Sequence, residues 1–159
     1  MDKLIYIGKP FPTRNVLRRW TPGREAAWSG DFRHVASGII LASGLIIPDD
    51  LKTMKAVLRL YLCNKSSRDV DPDGVMGGVA PVVNALKQTP VKVGGRTIPG
   101  VRTWGLYHDD APTWLELHVA QIKACPDDRP GTYMNIEWVS LTTRTTIQSI
   151  DTAPVPKLF

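Results

Sequence analysis

Ten residues, Met54 to Cys63, alternate strictly enough to fix their own conformation: Ala56, Leu58, Leu60 and Leu62 fall on one side, and Lys55, Val57, Arg59 and Tyr61 on the other. A period of two marks a half-buried strand, because on a helix the same residues scatter around the axis. Two later segments alternate in the same way, about Leu115–Ala124 and Thr132–Leu141, with the turn Pro126-Asp-Asp-Arg-Pro-Gly131 between them. Strands of this kind need a cover for their apolar side. Thr21-Pro22 supplies an N-cap hydroxyl and a first-turn proline, and Trp28, Phe32, Val35 and Ile39 then recur at helical spacing toward Gly44. Val75, Val79, Val82, Val83 and Leu86 predict a second helix over Val75–Leu86. Lys3–Gly8 and Trp104–Tyr107 read as short strands, and Lys9–Trp20 as a basic loop. The order β, α, β, α, β, β predicts an α+β domain, a mixed β-sheet with helices packed on one face.

With 159 residues, 43% hydrophobic and 22% charged, the chain has the size and composition of one globular domain, which excludes a disordered or fibrous protein. The expected domain covers 1–141 and is followed by a polar tail, 142–159. Residues 87–103, with three glycines, two prolines and four bases, read as an inserted basic arm or hairpin. The longest apolar run, Ile39–Ile47, is interrupted at Ser43 and Gly44 and stops at Pro48, short of the ~20 residues a membrane span needs. Nothing at the start resembles a signal peptide, so a soluble cytoplasmic protein without membrane partners is expected. Cys63 and Cys125 stand in unrelated contexts, which argues for buried thiols rather than zinc ligands or a disulfide framework.

Charge is segregated. Residues 1–68 hold twelve bases and five acids, 69–86 three acids and no base, 87–108 four bases and no acid, and 109–159 four bases and seven acids. Basic stretches around short acidic knots point to a polyanionic partner, and nucleic acid is the commonest one.

The acidic knots carry the chemistry. Asp69-x-Asp71-x-Asp73-Gly74 and Asp109-Asp110 gather carboxylates that raise one another's pKa unless a cation compensates them. Oxygen ligands suit Mg²⁺ or Mn²⁺, which in a nuclease activate water and neutralise charge on the phosphate. An EF-hand is excluded, since the twelfth position of that loop is Ala80 rather than Glu. The plainer alternative is a set of turn-forming and helix-capping aspartates without a metal. His34, His108 and His118 have no partnered Ser or Cys, so a hydrolytic triad has no support, and Gly94-Gly95 has no helix behind it to cradle phosphate. Trp20, beside Arg18 and Arg19, is a candidate for stacking on a base.

The run Asp71-Pro-Asp-Gly-Val-Met-Gly-Gly-Val-Ala-Pro-Val-Val-Asn-Ala-Leu86, followed by Gly105-Leu-Tyr-His-Asp-Asp110-Ala-Pro, resembles the RusA family of Holliday junction resolvases. Lys9-Pro10-x-Pro12-x-x-Asn15 is similar to the family's start, and Arg129-Pro-Gly-Thr-x-x-x-Ile-Glu137 to its closing strand. The resemblance implies a homodimeric, Mg²⁺-dependent (or Mn²⁺-dependent) endonuclease that binds four-way DNA junctions and nicks them in pairs. It implies catalytic, metal-binding roles for Asp71, Asp73 and Asp110, with Asp109 as a further ligand. Arg14, Asn15, Arg18, Arg19, Arg68, Lys87, Lys92, Arg96 and Arg102 are the expected DNA contacts. The chain departs from the family pattern at Gly74, at Asn84 and at Ala80, where the family has a helix lysine that steadies phosphate charge. Arg68, Lys65 or Lys87 are the candidate substitutes. Without one, the alternative is a branched-DNA-binding protein of the same fold that cuts weakly or not at all.

Overall fold

The computed structural model describes residues 4–64, 72–123 and 125–142. Strand β1 (Ile5–Tyr6) leads through a short helix α1 (Arg14–Leu17) to the long helix α2 (Pro22–Ala42) and then to β2 (Met54–Cys63). Two short helices follow, α3 (Pro72–Met76) and α4 (Ala80–Leu86), then a hairpin of β3 (Pro90–Val93) and β4 (Arg96–Arg102). Strands β5 (Leu115–Ile122) and β6 (Gly131–Ser140) complete the fold.

Four strands form one sheet in the order β1-β6-β2-β5, while β3 and β4 pair only with each other. Strand β2 is the centre: Leu58 lies opposite Leu117 in a parallel ladder with β5 and opposite Ile136 in an antiparallel ladder with β6. The sheet is therefore mixed, and the domain is α+β as the alternation predicts. Ala56, Leu58, Leu60 and Leu62 are buried under Phe32, Ala36 and Ile40 of α2 and Val82 and Leu86 of α4. The opposite face is polar, with Arg59 on Glu137 at 3.1 Å and Lys55 on Glu116 at 3.6 Å.

Thr21 caps α2 as its sequence predicts, its Oγ1 accepting from the Arg24 amide at 3.2 Å. The buried stripe is rotated from the expected one. It runs through Phe32, Ala36 and Ile40, where α2 packs chiefly on α4, and Val35 is 41% exposed. Residues 75–86 are not one helix. Gly77 and Gly78 break it, and the N-terminal segment occupies the break: a Cβ on Gly78 would stand 1.9 Å from the Pro12 carbonyl oxygen, and one on Gly77 2.8 Å from Arg14 Cδ. The supposed basic loop over 9–20 accordingly contains α1, which packs on α3. Trp104–Tyr107 is no strand either; its ladder contact is a single bridge from Tyr107 to Lys87.

The cysteines also correct the sequence reading. Parallel pairing sets Cys63 opposite Ile122, and the turn after β5 returns Cys125 to a Cα distance of 5.6 Å, where the two sulfurs are bonded. Sixty-two positions separate them in sequence, a spacing that gives no local signal. Closing a loop of that length restricts the unfolded chain by about 4 kcal/mol in the chain-entropy model. Chemical unfolding with and without a thiol reductant checks this: the midpoint is expected to fall on reduction and to match that of C63S/C125S, and an unchanged midpoint would contradict the bond.

Candidate functional site

The segment Gly105–Asp110 is laid along the end of α4 by a short ladder. The Leu106 amide donates to the Leu86 carbonyl at 2.7 Å, and the Gln88 amide donates to the Tyr107 carbonyl at 2.9 Å. Gly105 permits the approach, since a Cβ there would stand 2.4 Å from the Gln88 nitrogen. Two ring donors clamp the segment, Trp138 Nε1 on the Leu106 carbonyl at 2.8 Å and the buried Tyr107 hydroxyl on the Val83 carbonyl at 2.5 Å. Burial first, and then the Asp110 charge, push the Tyr107 hydroxyl well above the ordinary tyrosine value. It stays protonated and serves as a donor.

This ladder sets Asp109 and Asp110 beside Lys87. Lys87 Nζ lies 3.0 Å from Asp110 Oδ1 and 3.9 Å from Asp109 Oδ1, and the Asp110 amide donates to Asp109 Oδ1 at 2.8 Å. Hydrogen bonding with the Asp109 side chain and then with the Lys87 ammonium holds the Asp110 carboxyl below its ordinary value. A depressed carboxylate stabilises the fold above its unfolded pKa, near 4, and that contribution is lost as pH falls through the folded value. The His108 ring packs against Trp114 at 4.9 Å between centroids, and desolvation, followed by Arg102 and Lys52, lowers its pKa. The lowering favours the neutral ring.

The position of Lys87 is fixed from α2. The Arg33 guanidinium, on the inner side of that helix, donates to the carbonyls of Ala85 at 2.8 Å, Asn84 at 2.9 Å and Lys87 at 3.1 Å, and to Thr103 Oγ1 at 3.3 Å. It thereby satisfies the C-terminal carbonyls of α4, a helix with no base in its own last turn. Arg102 braces the other side, donating to the carbonyls of Gln88 at 3.0 Å and His108 at 2.9 Å. Sequence reasoning missed Arg33, Gly105 and Tyr107. An arginine inside an amphipathic helix reads as a solvated residue, and only the glycine within a strand-like stretch hinted at a close backbone approach.

The remaining expected site residues are dispersed. Asp69, Asp71, Arg68 and Lys65 lie outside the described residues. Asp73 is exposed in the first turn of α3, which packs against β5. Among the described residues no group of three or more His, Cys, Asp or Glu side chains could hold a metal ion, so Asp73 does not join Asp109 and Asp110 in such a set. Arg14 and Asn15 open α1, followed by Arg18 and Arg19, all four exposed. Lys92 and Arg96 stand exposed on the hairpin and Arg102 at its root. Trp20 faces Trp28 at 6.2 Å and carries the Arg24 guanidinium over its ring at 4.9 Å, contacts that hold it within the fold. The oxygen donors of Asp109 and Asp110 fit Mg²⁺ or Mn²⁺, ions that bind through one or two carboxylates and take their remaining ligands from water and phosphate.

Compared with family models, with curated proteins and with solved structures, the chain matches none of them.

Two outcomes test the cluster. Arg33→Met keeps the side-chain stem but strands the α4 carbonyls, and it is expected to cost about 3 kcal/mol in chemical unfolding; Arg33→Lys should recover little, because an ammonium cannot span the same acceptors. Lys87→Met should raise the Asp110 pKa toward the ordinary carboxylate value, followed by carboxyl-carbon NMR titration. An unmoved titration would leave the Asp109 contact as its whole cause.

Proposed function

We propose that the chain is a structure-specific endodeoxyribonuclease that hydrolyses DNA phosphodiesters at four-way junctions with Mg²⁺ or Mn²⁺, as a homodimer in the cytoplasm of a bacterial or phage-infected cell. The observation that carries the reading is the pairing of Lys87 with Asp110 and Asp109 at the root of a hairpin that bears bases and no acid. Carboxylates alone repel a phosphodiester, and an ammonium within 4 Å of them gives the scissile phosphate a positive neighbour. The ordered resemblance of the 71–86 and 105–112 motifs to RusA resolvases supports the same chemistry.

On this reading Asp109 and Asp110 would hold the divalent ion, whose remaining ligands would come from water and the phosphate. The ion supplies Lewis-acid stabilisation of the phosphate and lowers the pKa of water. Lys87 would exchange its ion pair for a phosphate oxygen, a positive charge at the Asp110 end of α4 rather than at Ala80. Arg33 keeps the Lys87 backbone in place, and the Tyr107 hydroxyl, donating to Val83, keeps the acidic segment in register. Arg14, Asn15, Arg18 and Arg19 lie on the exposed side of α1 for backbone contacts.

The test incubates purified protein with an end-labelled four-way junction and with linear duplex of the same sequence, each with Mg²⁺ and with EDTA. Metal-dependent paired nicks on the junction alone are expected. Asp110→Asn should lose about a thousand-fold in cleavage, the loss of ~4 kcal/mol of charge stabilisation, and still bind the junction. Junction binding without any cleavage would replace this reading with a branched-DNA-binding protein of the same fold, and absence of binding at moderate salt would remove DNA as the partner.

A further inference from the structure

The β3–β4 hairpin is the one described element of the chain that pairs with nothing but itself. Every residue of β4 is exposed, as are Pro90, Lys92 and Val93 of β3. Its turn, Gly94-Gly95, uses two positive φ angles of 58° and 78°, the geometry of a tight two-residue connection, and open space surrounds both glycines and Gly100. An isolated two-stranded ribbon is marginal in water. This one is anchored at its root. The Thr103 amide donates to the Thr89 carbonyl at 2.8 Å, the Thr89 amide to Thr103 Oγ1 at 2.9 Å, and Arg33 and Arg102 tie the same two strand ends to α2 and to the His108 carbonyl.

A protruding ribbon with charged edges can be no more than an edge guarded against pairing with other chains. Such a guard works with charges of either sign. Here the sign is uniform: the ribbon carries Lys92, Arg96 and Arg102 and no acid. Uniform positive charge also disfavours a second copy of the same ribbon as its partner, since the two would repel. It matches a polyanion, and the major groove of duplex DNA, about 12 Å wide, admits a two-stranded ribbon.

We infer that the β3–β4 ribbon lies in a groove of the duplex beside the reacting phosphate, with Lys92 and Arg96 on the backbone, and that its root fixes how far that duplex stands from Lys87, Asp109 and Asp110. This rests on DNA being the partner, as proposed above. Six residue steps from Arg102 to Arg96 span about 20 Å, or about six base pairs. Exposed Val93 and Val101, at 64% and 45%, then acquire a burial partner against sugars and bases.

The test is junction binding in EDTA, where nothing is cut, for the full chain and for K92Q/R96Q, whose two sites are exposed on the hairpin. Each phosphate contact contributes about eight-fold at 0.1 M salt, so the double variant should bind roughly fifty-fold more weakly, and the slope of log affinity against log salt should fall by about two. Backbone footprinting should lose protection on the duplex arm about six base pairs from the nick. Equal affinity and slope in the variant, with the parent chain binding well, would overturn the ribbon's role and leave the nuclease reading intact. Absence of binding by the parent chain would overturn that reading and the ribbon inference together. A fall in affinity accompanied by loss of the dimer in sedimentation would assign the ribbon to the subunit interface instead and overturn its role in the groove.

Discussion

The architecture around the acidic pair depends on one side chain. Arg33 reaches from the middle of α2 into the space where α4 ends and the hairpin begins, and its planar fork meets four acceptors there. A seven-residue helix has little stability of its own, and this one has no base in its last turn to meet its final carbonyls. The guanidinium answers this, because its donors diverge in a plane that meets the carbonyls of Asn84, Ala85 and Lys87 and the Thr103 hydroxyl. Remove it and α4, the Lys87 backbone and the Thr103 root of the hairpin lose their common reference together.

That reference is itself held by the parallel pairing of β2 and β5. Parallel neighbours cannot be joined by a tight turn, so a long crossover must leave β2 and return at the start of β5. In this chain the crossover carries α3, α4, the ribbon and the acidic pair, so almost everything of chemical interest sits on one connection. Two devices keep it against the domain. Pro12 and Arg14 fill the gap that Gly77 and Gly78 open between α3 and α4. At the other end of the strands, the Cys63–Cys125 bond ties the exit of β2 to the turn after β5.

What the sequence made legible follows from the range of the forces involved. Strand β2 was readable to the residue because alternation is local and its inward leucines are all buried. The start of α2 was readable because a capping hydroxyl and a proline act within one turn. The hairpin or arm was readable from the three glycines and two prolines of 87–103, of which Gly94 and Gly95 take the positive φ angles of the turn. The failures are all cases of distant partners deciding. Val35 has the spacing of a core residue, but the buried stripe lies one step around the helix, at Ala36. Helical periodicity through Val79 concealed a break whose cause is Pro12, more than sixty positions earlier. The cysteines, too, are joined only because two strands pair in register. Of the candidate site, the Asp109-Asp110 pair and the basic arm were visible as composition, whereas Lys87 emerged as the cation on those acids only once the 105–110 ladder was seen.

The location of that cation bears on how a nuclease of this construction would work. Ala80 begins α4, and Lys87 follows its last residue, so seven positions at 1.5 Å of rise put the two about 10 Å apart along the helix. A cation at 87 therefore cannot stand in for one at 80 over the same phosphate oxygen. It serves the Asp110 end of the helix, where it already satisfies two carboxylates and where Arg102 links the ribbon root to the His108 backbone. If DNA is the substrate, charge compensation has moved with it. The reacting phosphate is then centred on Asp109, Asp110 and Lys87, next to the ribbon root, and the uniform positive charge of the hairpin and the position of the acids become two parts of one binding geometry rather than separate features of the chain.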